Sequence, residues 1–261
     1  MRGDLETLEY IWLLAAGFLI AVVATMAGIG GGVFMVPLFY FTGSPINVAV
    51  GTSKFIIVFI SVTSSVVYSR ARKVDLRMGS LFMATMIPGS YLGAYLVPVV
   101  DPDILRVFIG LFILAYSIRL IYRYIKTRNS RVEGSSEAHR VELTPVKWVL
   151  AGLIGLATGL VAGLTGTGGG AILVPAMTML LGVPIHEAVA TSMYSMLLAA
   201  ITAAFRHHLN GDIDYGIAPL FLVGAVLGAI VGPRVSLRLK PQNLRLVVAV
   251  VLGVVAVRML L

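Results

Sequence analysis

No cysteine occurs in this chain of 261 residues. Disulfides, iron–sulfur clusters and thiol catalysis are excluded, although that absence does not identify a compartment. Charge is scarce too: Asp, Glu, Lys and Arg supply 12% of the residues, against about 25% in a soluble domain. Apolar residues supply 58%, and the mean hydropathy is +0.96. Several apolar runs reach the roughly 20 residues that a helix needs to cross the hydrocarbon core, more than a soluble core of this size can hide. No Walker A sequence is present, so ATP hydrolysis by this chain is not expected. The first ten residues, MRGDLETLEY, lack a basic n-region and a cleavage site, so no removable signal peptide is expected. The net charge of +8 does not point to nucleic acid, because the basic residues cluster in short loops between apolar runs.

What is present is a repeat. MAGIGGGVFMVP at 26–37 returns as LTGTGGGAILVP at 164–175. Gly28, Gly30, Gly31 and Gly32 match Gly166, Gly168, Gly169 and Gly170 at an offset of 138 residues, and Pro37 matches Pro175. One inserted residue then moves the offset to 139. In that register Pro45 matches Pro184, Thr52-Ser53 matches Thr191-Ser192, Asp75 matches Asp214, and Gly89 and Gly93 match Gly228 and Gly232. In a membrane chain such duplication points to a transporter-type architecture.

In chain order, an apolar helix is expected at 10–27, broken by glycines at 28–32 and followed by a short apolar run at 33–41. Spans follow at 47–69, 78–97 and 104–124. Residues 126–144 lack apolar periodicity and read as a flexible linker. The second half repeats the plan, with spans at 146–163, 186–205, 217–235 and 243–261 and a short run to 181. The fold expected is all-α and polytopic, with a first repeat at 1–125, a cytoplasmic linker at 126–144 and a second repeat at 145–261.

Loop charges orient the chain. Residues 70–77 carry Arg70, Arg72, Lys73 and Arg77 against Asp75, and 234–245 carry Arg234, Arg238, Lys240 and Arg245. Both read as cytoplasmic. The loop at 98–103 carries Asp101 and Asp103, and the loop at 207–214 carries Asp212 and Asp214 without Lys or Arg. Both read as external. Equivalent loops thus face opposite sides, so the halves are expected to be inverted copies of five segments each, about ten in all. Both termini then lie outside a multi-pass protein of the cell (inner) membrane. The short runs either cross or form re-entrant hairpins.

Inverted repeats with broken helices place a substrate site near the bilayer midplane. Glycines let the backbone turn and present N–H groups, and a helix that starts there turns its positive end to the break. Gly30, Gly31 and Gly32 with Gly168, Gly169 and Gly170 are therefore the first candidate anion ligands. The competing reading is close helix packing, which does not call for three consecutive glycines twice; packing is the preferred reading for Gly89, Gly93, Gly228 and Gly232. Thr52, Ser53, Thr191 and Ser192 are the next candidates, with bonding back to the helix carbonyls as the alternative. Lys54 lies about two turns inside an apolar span, where a cation is costly and by default functional, unless it snorkels to the surface. Its counterpart is Met193, so its role is asymmetric. Tyr194 extends the polar lining. His186-Glu187 and Arg206-His207-His208 lie at span ends and read as interfacial, without metal-ligand spacing. No catalytic residue, metal or cofactor is expected. Trp12 and Trp148 read as interface anchors.

GIGGGVFMVPL at 28–38, GTSKF at 51–55, GTGGGAILVPA at 166–176 and ATSMY at 190–194 together resemble the sulfite exporter TauE/SafE family of prokaryotic membrane permeases. The resemblance covers nearly the whole chain outside the linker. It implies export or uptake of a small sulfur-containing anion such as sulfite, sulfoacetate or another organosulfonate. The motifs carry over to the glycine clusters and Thr-Ser pairs; Lys54 belongs to a GT-x-K variant. The expectation is a secondary transporter working by alternating access, not an enzyme. An anion channel is one alternative. An intramembrane enzyme is the other, but Ser53 and Lys54 are adjacent on one helix and make a poor dyad. The partners expected are a small anionic substrate and the lipid bilayer, with no nucleic acid; a homodimer is left open.

Overall fold

The computed structural model describes residues 2–129, 145–238, 257 and 260. Every element assigned among them is a helix: α1 (Arg2–Ala27), α2 (Gly32–Phe41), α3 (Ile46–Arg70), α4 (Leu76–Leu96), α5 (Pro102–Asn129), α6 (Pro145–Thr165), α7 (Gly170–Leu180), α8 (Ile185–Asn210) and α9 (Ala218–Ser236). In hydrocarbon every backbone polar group must be satisfied within its own segment, which helices do. The stretches Ile46–Arg70, Trp148–Thr165, Ile185–Asn210 and Ala218–Ser236 are long and apolar enough to cross a membrane. The described residues are thus all-helical, and these four helices suit a membrane protein. The span expected at 243–261 and most of the linker lie outside the described residues, and α5 runs on to Asn129, past the expected start of that linker.

The local signals are those of the repeat. Pro45 and Pro184 precede α3 and α8 with nearly the same backbone, φ −53° and ψ 147° against φ −54° and ψ 142°. Proline sets φ and needs no acceptor, so it suits a helix entry. Asp75 caps α4 by accepting from the N–H of Met78 at 3.0 Å. Gly211 ends α8 with φ 77°.

The first helix of each half packs on the fourth helix of the other, α1 on α9 and α6 on α4. Small residues make these contacts possible. A methyl group at Gly89, Gly93, Gly159 or Gly163 would collide with the backbone across the α4–α6 seam, and one at Gly17, Gly224 or Gly228 with that across α1–α9. Gly89, Gly93 and Gly228 thus serve packing, as expected. At the centre α3 packs against α8. The segment that follows α8 lies at the start of α3, and the segment that follows α3 lies at the start of α8. The two helices therefore run antiparallel.

Candidate functional site

Each of α1 and α6 ends in a glycine-bearing break, from which α2 and α7 start. Gly28, Gly30 and Gly31 have φ of 70°, 85° and 97°; Gly166, Gly168 and Gly169 have 69°, 93° and 100°. The left-handed region costs a residue with a β-carbon about 1–2 kcal/mol, so these positions call for glycine. Gly31 and Gly169 are the caps of α2 and α7, and neither helix receives a side-chain cap. Among the described residues the N–H groups of Gly30, Gly31, Gly32 and Val33 find no acceptor, nor do those of Gly168, Gly169, Gly170 and Ala171. All eight residues are buried. Buried N–H groups are almost always paired, and helix starts draw anions.

The breaks meet. A β-carbon on Gly30 would lie 3.6 Å from the Cα of Gly168, and one on Gly168 would lie 3.5 Å from the Cα of Gly30. A β-carbon on Gly32 would collide with the carbonyl of Gly166, and one on Gly170 with that of Gly28. Met196 on α8 covers the junction, its Sδ 3.2 Å from a β-carbon at either Gly30 or Gly168.

The Thr-Ser pairs hold this junction from both sides. Ser53 donates to the carbonyls of Val50 at 2.7 Å and Gly166 at 3.0 Å, and Ser192 donates to the carbonyl of Gly28 at 2.9 Å. The hydroxyl of Thr52 accepts from the N–H of Asp214 at 2.9 Å, and that of Thr191 from the N–H of Asp75 at 3.0 Å. Each pair in one half thus clasps a break and a connecting segment of the other half. Back-bonding is present at Ser53, but it is not the whole role. Asp75 and Asp214 matched in the repeat without being singled out, and the threonines are their partners.

Lys54 is 1% exposed, so it does not snorkel to the surface. Among the described residues no carboxylate lies within ion-pair range of it. It is one residue from the serine that holds the Gly166 break. Tyr194 is half-buried, and a β-carbon on Gly79 of α4 would touch its ring. Thr165 and Thr167, both fully buried, bond to each other at 2.8 Å at the second break. Sequence reasoning missed them, because their counterparts are Ala27 and Ile29 and attention went to shared positions.

One expectation is corrected. His207 is not interfacial: it is fully buried, and its Nδ1 lies 3.1 Å from Oδ2 of Asp212. The expected loop at 207–214 begins later, since α8 continues through Asn210. Trp12 is half exposed, and Trp148 lies under the guanidinium of Arg77 at 5.0 Å.

The family model "Sulfite exporter TauE/SafE" matches residues 13–259. The chain is 26% identical over 265 residues to "Probable membrane transporter protein YunE" of Bacillus subtilis, covering 94% of this chain and 95% of that protein. It is 26% identical over 266 residues to a probable membrane transporter protein of Methanocaldococcus jannaschii, covering 95% and 94%. "Probable membrane transporter protein YjnA" of Bacillus subtilis is 24% identical over 259 residues, covering 95% and 98%. No solved structure matches. With the family model spanning all but the ends of the sequence, the chain belongs to the sulfite exporter TauE/SafE family.

Proposed function

We propose that this protein is a secondary transporter of a small sulfur-containing anion, such as sulfite or an organosulfonate, which binds between the two glycine breaks and is exposed alternately to each side. The observation that carries the reading is the pair of helix starts at one junction, with eight buried N–H groups that have no acceptor among the described residues. Two positive helix ends and their free donors suit one tetrahedral or pyramidal oxyanion. In this reading Gly30, Gly31, Gly32, Gly168, Gly169 and Gly170 offer the donors, and Lys54 supplies the charge. Ser53 and Ser192 set the breaks, while Thr52 and Thr191 set the connecting segments. Tyr194 lines the approach along α4.

Two inverted repeats of five segments are part of the proposal. Supporting it are the antiparallel course of α3 and α8 and the exchange of contacts between halves. The membrane is the cell (inner) membrane, with a cytoplasmic linker and external termini. The transporter names of the relatives fit this reading, as does the family description.

The test is a thermal-shift screen of detergent-purified protein against sulfite, sulfate, thiosulfate, taurine, sulfoacetate, phosphate and acetate, with Lys54→Ala alongside. A ligand at about 100 times its Kd stabilises by about 2.7 kcal/mol. A sulfur oxyanion is expected to raise the wild-type midpoint and to act less on Lys54→Ala. If no anion shifts the wild type at millimolar concentration, the helix-start site is wrong. Flux from proteoliposomes then separates carrier from channel: a carrier saturates, whereas a channel conducts with little saturation.

A further inference from the structure

The transport scheme lacks a driving ion, and no carboxylate among the described residues lies at the junction of the breaks. A buried titratable pair lies elsewhere, where α8 ends. His207 is fully buried and Asp212 is 3% exposed. The imidazole Nδ1 is 3.1 Å from Oδ2 of Asp212, and Nε2 is buried without a partner among the described residues. The carboxylate also accepts from Nδ2 of Asn47 on α3 at 2.8 Å and from Nδ2 of Asn210 at 3.2 Å.

Three other ionisable groups nearby are engaged elsewhere. Asp214 accepts from the N–H groups of Gly216 and Ile217. His208 bonds to the hydroxyl of Tyr215 at 2.7 Å. The guanidinium of Arg206 stacks on Tyr95 of α4 at 4.8 Å. Lys54 lies two turns beyond Asn47 on α3.

We propose that the His207–Asp212 pair is a proton-binding site that couples proton movement to anion movement, with Nε2 of His207 as the atom that gains and loses the proton. The inference rests on the transporter reading given above. The proton balance is simple. With Nδ1–H donated to the carboxylate, the unloaded pair carries one negative charge, and a proton on Nε2 makes the pair neutral without breaking any hydrogen bond in it. A buried net charge is costly, so the two states differ in what they demand of their surroundings. Burial alone would raise the Asp212 carboxyl, but hydrogen bonds from His207, Asn47 and Asn210 hold it below the usual carboxylate range. Asp212 therefore stays ionised, and the imidazole Nε2 is the open proton-accepting atom of the pair.

The pair is wired to the anion site through short links. A β-carbon on Gly51 would strike the backbone of Asp212, Thr52 holds Asp214, and Ser53 holds the Gly166 break. Removing the negative charge from this strap favours an anion at the break, and by reciprocity a bound anion favours the proton. The site exists in one half only. At the equivalent positions the other half has Tyr68 for His207 and Lys73 for Asp212, and Tyr68 donates to the carbonyl of Thr25 at 2.8 Å.

The experiment has two arms, using wild type, His207→Gln and Asp212→Asn in detergent. Without anion, the melting midpoint is followed from pH 5 to pH 8. The wild type is expected to show a transition within this range that both variants lose; the same transition in His207→Gln overturns the proposal. With anion, sulfate is added in weak buffer and proton uptake is recorded; sulfate is fully ionised, so any uptake belongs to the protein. About one proton per bound sulfate is expected in wild type and none in His207→Gln. Sulfate binding without proton uptake in wild type overturns the coupling. If sulfate does not bind at all, the anion reading loses support while the first arm still decides the proton site. Should His207→Gln fail to fold, Asp212→Asn decides both arms.

Discussion

At the scale of single residues, two glycines separate conformational need from contact need. Gly43, in the turn before α3, has φ 100° and open space around a would-be β-carbon. Alanine there costs only the left-handed backbone, about 1–2 kcal/mol. Gly32 is the reverse: its φ is ordinary for a helix, but a methyl group would run into the carbonyl of Gly166. Backbone on both sides cannot yield as a flexible side chain would, so the two breaks must part. Overpacking costs roughly 1–3 kcal/mol, and sometimes more. Gly43→Ala is therefore expected to lower the melting midpoint by a few degrees and keep the anion-induced shift. Gly32→Ala is expected to lose that shift even where the protein is recovered folded. Thermal shift with the responsive anion checks both, and an unchanged response in Gly32→Ala would remove the junction from the binding site.

At the scale of elements, the threonine and serine clasps carry the argument. Thr52 and Thr191 hold N–H groups of Asp214 and Asp75 at opposite ends of the α3–α8 pair. Thr→Val keeps the shape and removes the acceptor. Each replacement is expected to cost about 1 kcal/mol. Because the two sites share no partner, the double variant is expected to cost the sum within about 0.5 kcal/mol. A marked excess in the double variant would mean that the clasps act through one common element. Much of this level was legible in the sequence. The starts of α2 and α7 fall one residue before the positions expected, because glycine clusters ahead of an apolar run leave little choice of helix start. Internal duplication made the equivalence of Thr52-Ser53 and Thr191-Ser192 visible, though their hydroxyls suggested anion ligands and not clasps. What those side chains touch was not legible: Ser53 bonds to a residue 113 positions away, and no local rule ties them. His207 was misread for a related reason. Beside Arg206 and His208 it looks like a wet helix end, and only the return of Asp212 and the docking of Asn47 make a dry pair of it.

At the scale of the whole molecule, the question is which ends share a side. The contacts Thr52–Asp214 and Asn47–Asp212 bring the segment after α8 to the start of α3. The contact Thr191–Asp75 brings the segment after α3 to the start of α8. Residues 42–45 and 211–217 therefore belong to one face of the protein, and residues 71–75 and 181–184 to the other. Charge then chooses the faces, since Arg70, Arg72, Lys73 and Arg77 favour the cytoplasm. The absence of cysteine allows this to be read with single introduced thiols and no background. Ser44→Cys and Tyr215→Cys are expected to react with a membrane-impermeant maleimide on intact cells. Lys73→Cys and Arg238→Cys are expected to react only after permeabilisation. Reversal of all four would keep the arrangement of the halves and overturn the orientation. Ser44 and Lys73 reacting from the same side would contradict a full crossing by α3, and the inverted duplication would fall with it.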